Sequence, residues 1–376
     1  MSRLRTFAAF GIACAICACS GGADTQTPVS EAGVTGMGFL YETGEDGFAR
    51  VTGPKIFDFP ADHGPHPGFR SEWWYTTGNL EDEAGREFGF ELTFFRLGVS
   101  APLAIGEPGI GVWMANFAIT DVEAGRFVAF ERLARGDPVL AFASGTPFAV
   151  RVEDWTLSGI DSGSARLQAA EGGWAIDLTI DGLERLVYQG DRGFDRKGPE
   201  AGNASYYYSA PRLDVTGNVR IPHGESAAVS GTAWLDHEWS SSSLSADVGG
   251  WDWFSLQLED GRNVMYYRLR ERTGATSPFS GGSVQEPGGR VRRIAAEDVA
   301  VDPLRYWTSP ATGVRYPVSW RFQLPSEGLD LEVRAALADQ EVALSVRYWE
   351  GSVRAFGAGG TADPVGRGYL ELTGYD

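Results

Sequence analysis

Apolar and polar residues alternate along much of this chain. Val318-Ser319-Trp320-Arg321-Phe322-Gln323-Leu324 and Leu329-Asp330-Leu331-Glu332-Val333 put an apolar side chain at every second position, the period of a strand with one buried face. Stretches 149–157, 174–180, 263–270 and 316–324 are short and rich in β-branched and aromatic residues. Each is bounded by Gly, Pro, Asp or Ser, so each is predicted as a strand. Helical periodicity is scarce. The 50 glycines, with aromatics between them, suit tight turns and curved sheets. Short strands at regular spacing predict an all-β barrel or sandwich.

The N-terminus has a different pattern. Arg3 and Arg5 precede an unbroken apolar run from Phe7 to Ala18, the charged and apolar regions of a secretory signal. The run is too short for the roughly 20 residues that span a bilayer. Ile16-Cys17-Ala18-Cys19 fits a lipobox, which predicts cleavage after residue 18 and lipidation of Cys19; the bland alternative is an ordinary signal peptide with incidental cysteines. Ser20 resembles the sorting position of outer-membrane lipoproteins. The expectation is therefore a signal peptide over 1–18, a lipidated tether over 19–45, and a location at the periplasmic face of the outer membrane. All three cysteines, Cys14, Cys17 and Cys19, lie in this segment, so the mature body is expected to fold without a disulfide. Loss of Arg3 and Arg5 leaves 30 basic against 50 acidic residues, a net charge of −20, which argues against nucleic-acid binding.

The body contains an internal echo. Trp73-Trp74-Tyr75 leads through Leu80-Glu81-Asp82 to Gly85-Arg86 and then Phe88-Gly89-Phe90. Trp251-Asp252-Trp253 leads through Leu258-Glu259-Asp260 to Gly261-Arg262 and then Val264-Met265-Tyr266. The two align as strand, acidic turn, strand, which predicts a duplication. A boundary near 225 gives domains over 46–225 and 226–376.

Three motifs resemble the carotenoid 1,2-hydratase and AttH-like family. They are Phe59-Pro60-Ala61-Asp62-His63-Gly64-Pro65-His66 with Arg70-Ser71-Glu72-Trp73-Trp74-Tyr75; Gly231-Thr232-Ala233-Trp234-Leu235-Asp236-His237-Glu238-Trp239 with Gly250-Trp251; and Tyr348-Trp349-Glu350-Gly351 with Gly366–Tyr375. The resemblance spans about residues 55–376. It implies two lipocalin-like β-barrel or sandwich domains in tandem, with a ligand site in or between them.

The family's hydratases carry a His-x-Trp at the place of His237-Glu238-Trp239, which the resemblance marks as catalytic. Hydrating an isolated alkene needs a proton donor, a stabilised carbocation and admitted water. Asp, Glu or His can donate, and aromatic faces can stabilise the cation. Asp236, His237, Glu238 and Tyr266 are the catalytic candidates. Trp73, Trp74, Trp234, Trp239, Trp251, Trp253 and Glu72 are the ligand-binding ones. On an extended strand, however, His237 shares its face with Leu235 and Trp239, while Asp236 and Glu238 face the other way with Trp234. His237 is then equally readable as a hydrogen-bonded core histidine. The hydratases also carry an acidic Tyr-x-Asp downstream, and Tyr266-Tyr267-Arg268 has arginine at that place. Glu72 is expected to pair with Arg70 or Arg96. His63 and His66 lie on a Pro-Gly loop with no third ligand apparent, so no metal and no cofactor is expected.

The leading reading is a lipid-anchored protein that binds an elongated apolar ligand, an isoprenoid, carotenoid or acyl chain, and possesses hydro-lyase chemistry if it is an enzyme. The alternative is a non-catalytic lipid carrier or an accessory lipoprotein of an ABC-type exporter.

Overall fold

The computed structural model describes residues 47–375 apart from 103–109, 160–162, 225, 242–243 and 360–362. The signal, Cys19 and the tether lie outside the described residues. What is described is all-β: 23 strands in two curled sheets of 13 and 10 strands, one nearly closed as a barrel and one a half-barrel. No described helix is long and apolar enough to cross a membrane.

The first sheet is ordered by a late insertion. Ser226–Ser240 pairs antiparallel with Ser71–Asp82 on one side and with Ala204–Arg220 on the other. The segment around His237 therefore belongs to the middle of the first sheet, as do both strands that flank the expected boundary. The chain then enters the second sheet at Val248–Leu258.

The echoed segments are equivalent hairpins. Ser71–Asp82 turns into Glu87–Gly98, and Val248–Leu258 into Asn263–Glu271. The Asp82 N–H bonds the Arg86 carbonyl at 3.0 Å, and the Leu258 N–H bonds that of Arg262 at 2.8 Å. Gly85 and Gly261 take φ of +83° and +87°, a left-handed conformation that glycine adopts without steric cost.

Alternation builds three cores. Trp74, Phe90, Phe94, Phe117, Tyr208 and Trp239 fill the inside of the first sheet, and Phe254, Tyr266, Trp320 and Trp349 that of the second. A third cluster lies between the sheets, where Tyr75, Tyr207 and Trp234 of the first meet Trp253, Met265, Tyr267 and Tyr369 of the second. Close approach there needs Gly89, because a Cβ would stand 2.8 Å from the Tyr369 hydroxyl and 2.9 Å from the Ser352 Cβ.

Candidate functional site

Two polar clusters grow from the alternating faces of the Ser226–Ser240 strand. His237 points inward with no exposed surface. Its Nδ1 lies 3.0 Å from the Tyr208 hydroxyl and its Nε2 3.0 Å from Glu72 Oε1. Glu72 also meets His66 Nδ1 at 2.7 Å and accepts from Arg96 Nε at 3.0 Å. The expected pairing with Arg96 and a role beside His237 thus coexist. His66 Nε2 reaches Asp62 at 3.0 Å, Lys55 pairs with the same carboxylate at 2.6 Å, and the His66 ring stacks on Trp239 at 3.7 Å.

Burial opposes the charge on Glu72, yet His66, His237 and Arg96 hold its carboxyl well below the usual range. Burial pushes His237 down to about 4. This is an ionised carboxylate locked among its partners, with a neutral histidine packed beside Trp74. Ligand atoms of His66, Glu72 and His237 lie within 4.8 Å of one another, so the fold supplies the third ligand that the loop spacing did not reveal. Those atoms are spent on one another, and a guanidinium already neutralises the carboxylate.

The other face is different. Asp236 and Glu238 line a cavity of about 90 Å3 between the sheets, walled by Trp73, Trp251, Trp253, Phe95 and Met114. Asp236 accepts from the Tyr207 hydroxyl at 2.6 Å and from Trp234 Nε1 at 2.7 Å. Trp253 Nε1 donates to that same hydroxyl at 3.3 Å. Among the described residues no basic side chain pairs with Asp236; Lys197, at the same cavity, pairs with Glu238. Burial pushes its carboxyl up to about 7, against the hydrogen bonds from Ser209, Tyr207 and Trp234.

Glu238 is also pushed up by burial, but Lys197 opposes the shift at 3.0 Å. Lys197 bridges to Asp195 at 3.1 Å. Burial opposes its charge too, and the two carboxylates hold it raised. Across the cavity, burial and the charge of Glu91 push Glu371 up to about 8, while burial pushes Glu91 to about 7. Reciprocal tyrosine–carboxyl bonds stitch this seam. Tyr348 of the second sheet donates to Glu91 at 2.8 Å, and Tyr75 of the first donates to Glu350 at 2.7 Å. Glu91 Oε2 is buried with no hydrogen-bond partner.

The structure thus separates the four residues expected to act together. Asp236 and Glu238 face the cavity, His237 faces the interior of the first sheet, and Tyr266 sits in the core of the second. Of the expected binding residues, Trp73, Trp251 and Trp253 line the cavity and Trp234 holds Asp236 from behind. Trp74, Trp239 and Glu72 belong to the inner network. Arg268 is bound to Asp252 at 2.6 Å and does not line the cavity. Sequence reasoning missed Tyr207, Lys197, Glu91 and Glu371. The run Tyr206-Tyr207-Tyr208 carried a usable signal, since alternation sends Tyr207 to the cavity and Tyr208 to His237.

The AttH-like family model matches residues 50–375. The crystal structure of a putative AttH from Nitrosomonas europaea is 33% identical with a TM-score of 0.78, over 88% of this chain and 100% of that one. Kievitone hydratase from Nectria haematococca is 16% identical with a TM-score of 0.61, over 89% of this chain and 98% of that one, a likeness of fold. A search of curated proteins finds no match. With two curled sheets and the family's motifs gathered on the strands between them, the chain belongs to the AttH-like family.

Proposed function

We propose that this protein is an acid catalyst that hydrates, or moves a proton on, a carbon–carbon double bond of an apolar ligand held between the two sheets. The observation that carries this is Asp236, a carboxyl with no basic partner among the described residues, poised near neutrality beside tryptophan faces at a cavity. The Asp236 O–H bond breaks as a C–H bond forms at the alkene. The electron-rich faces of Trp73, Trp251 and Trp253 stabilise the resulting cation. Water then adds, and its surplus proton returns to Asp236, directly or through Tyr207, so the acid is restored. A carboxylic acid kept protonated at working pH by an apolar setting suits this task. Kievitone hydratase shares the fold and bears the name of a hydratase; the reading here rests on the cavity. The ligand class is an elongated isoprenoid, carotenoid or acyl chain. Cys19 is proposed to tether the body by lipid to the outer membrane.

The experiment is turnover of an acyclic polyene, followed by mass gain of water, with Asp236→Asn as the variant. The expected loss is about 10²–10⁴-fold in kcat with binding retained. Polyene binding without turnover by the wild type would leave a carrier instead. For the anchor, Cys19→Ser is expected to release the protein from membranes, and wild-type protein that takes up no acyl label would refute lipidation.

A further inference from the structure

At about 90 Å3, the cavity is well below the roughly 300–1,000 Å3 of sites that enclose a whole drug-sized ligand. An elongated ligand must therefore continue outside it. One cross-strand row offers the path. Tyr207, Glu238, Trp73, Phe95, Met114 and Leu133 are successive register partners on six neighbouring strands, and directly opposed residues share a face. The first five line the cavity. Exposure rises along the row, from 2% at Tyr207 and 4% at Glu238, through half-buried Trp73, Phe95 and Met114, to 54% at Leu133. Beyond Glu238 the row has no charged member. Val112, 42% exposed, shares the Met114 face two residues along its strand. Met114 packs against a buried cluster of Val342, Val346 and Tyr348 as a flank. With strands about 4.8 Å apart, the four steps from Glu238 to Leu133 span roughly 19 Å.

We propose that this row is a track for the apolar tail of a ligand whose unsaturated end occupies the cavity. The substrate class is then a molecule whose small reactive end and slender hydrocarbon tail together span about 19 Å. The proposal rests on the cavity reading above and adds the direction and length of the ligand. A tail is favoured over a protein partner because the track continues the cavity lining without a break. Its exposed end, Leu133 with Val112, offers far less apolar area than the roughly 800 Å2 per partner of a stable interface.

The test uses the full-length chain and terminally unsaturated alcohols of about six, ten and fourteen carbons, read by tryptophan fluorescence, with affinity expected to rise roughly three-fold per methylene until the tail passes Leu133. Leu133→Glu and Val112→Glu change exposed positions. Each is expected to weaken the longest probe at least ten-fold and leave the shortest unchanged. If the probes bind with no dependence on length, or Leu133→Glu weakens all of them alike, the track is wrong while the cavity reading stands. If no probe of any length binds, the cavity reading fails and takes the track with it. A dimer that Leu133→Glu dissociates would assign the row to a second copy of the chain and also overturn the track.

Discussion

Two faces of one strand hold opposite kinds of polar chemistry. Inward, His237 joins Glu72, His66, Arg96 and Tyr208; His66, His237 and Arg96 keep the Glu72 carboxylate charged, and burial keeps His237 neutral. Outward, Asp236 meets hydroxyl and indole donors but pairs with no described basic side chain, and burial keeps it an acid. The residue type most associated with proton transfer, His237, is on the side where both ring nitrogens already have partners. Pairing and open space, more than residue identity, decide which group can react.

The largest expected effect breaks the inner network. Glu72→Ala leaves Arg96 without its carboxylate partner and takes from His66 and His237 the acceptor they share, in a site where Glu72 and His237 have no exposure. Removing one partner from a buried ionic set costs about 3–5 kcal/mol, and urea unfolding should register it. Asp236→Asn should cost about 1 kcal/mol in the same assay, since it removes no ion pair and keeps most of the shape. If Asp236→Asn proved the more damaging to stability, the contrast between the faces would be inverted.

Apart from His66, the two faces also titrate in opposite senses. Asp236 and Glu91 stay protonated to about 7 and Glu371 to about 8 in the folded protein. An unfolded chain releases these protons near pH 4. Their stabilisation is thus complete below about pH 4 and is lost as the pH rises to about 8. His66, held raised by Glu72 and Asp62 against burial, fades in the same direction. On the inner face, Glu72 is lowered and His237 and His63 sit at about 4. The histidines' contribution is present above pH 6.5 and is lost as the pH falls through 4, while that of Glu72 is present above about 4.5 and is lost as the pH falls well below it. The melting temperature should therefore peak on the acid side of neutrality. Glu91→Gln should flatten the alkaline limb and leave the acid limb unchanged; a flattened acid limb instead would misplace the ionised groups.

The sequence made the strands legible because alternation and turn glycines are local. The hairpins at Gly85 and Gly261 could be read from the echo alone. It also gave the division of faces at Asp236, His237 and Glu238. What it could not give was distance across the sheet. Glu72 meets His237 because Ser71–Asp82 and Ser226–Ser240 pair in register, a contact spanning 165 residues. The His63-Gly64-Pro65-His66 loop seemed to lack a third ligand for the same reason. Glu91 lay hidden between Phe90 and Leu92, where alternation reads an acid as solvent-facing although the second sheet covers it. Lys197 sits in a Gly-Pro-punctuated stretch with no periodic signal, and only the fold brings it to Glu238.

The smallest expected effect concerns Arg268, which the resemblance sets at the place of a family acid. In this chain Arg268 pairs across the strand with Asp252. Arg270 binds the same carboxylate at 3.1 Å, and the Tyr375 hydroxyl donates to it at 2.7 Å. The guanidinium lies over Trp320 in the second core, 5.2 Å from the ring centroid. Arg268→Ala therefore leaves Asp252 with two partners and should cost only about 1 kcal/mol, read as a small fall in the urea midpoint. Turnover at the cavity should not change, because Arg268 does not line it. Installing the acid directly, Arg268→Asp, would set a second carboxylate opposite Asp252 without placing it at the cavity, so stability should fall further with no gain in hydration. A rise in hydration by Arg268→Asp would mean that the reacting double bond reaches the second core, and that the acid at Asp236 is not the one that matters.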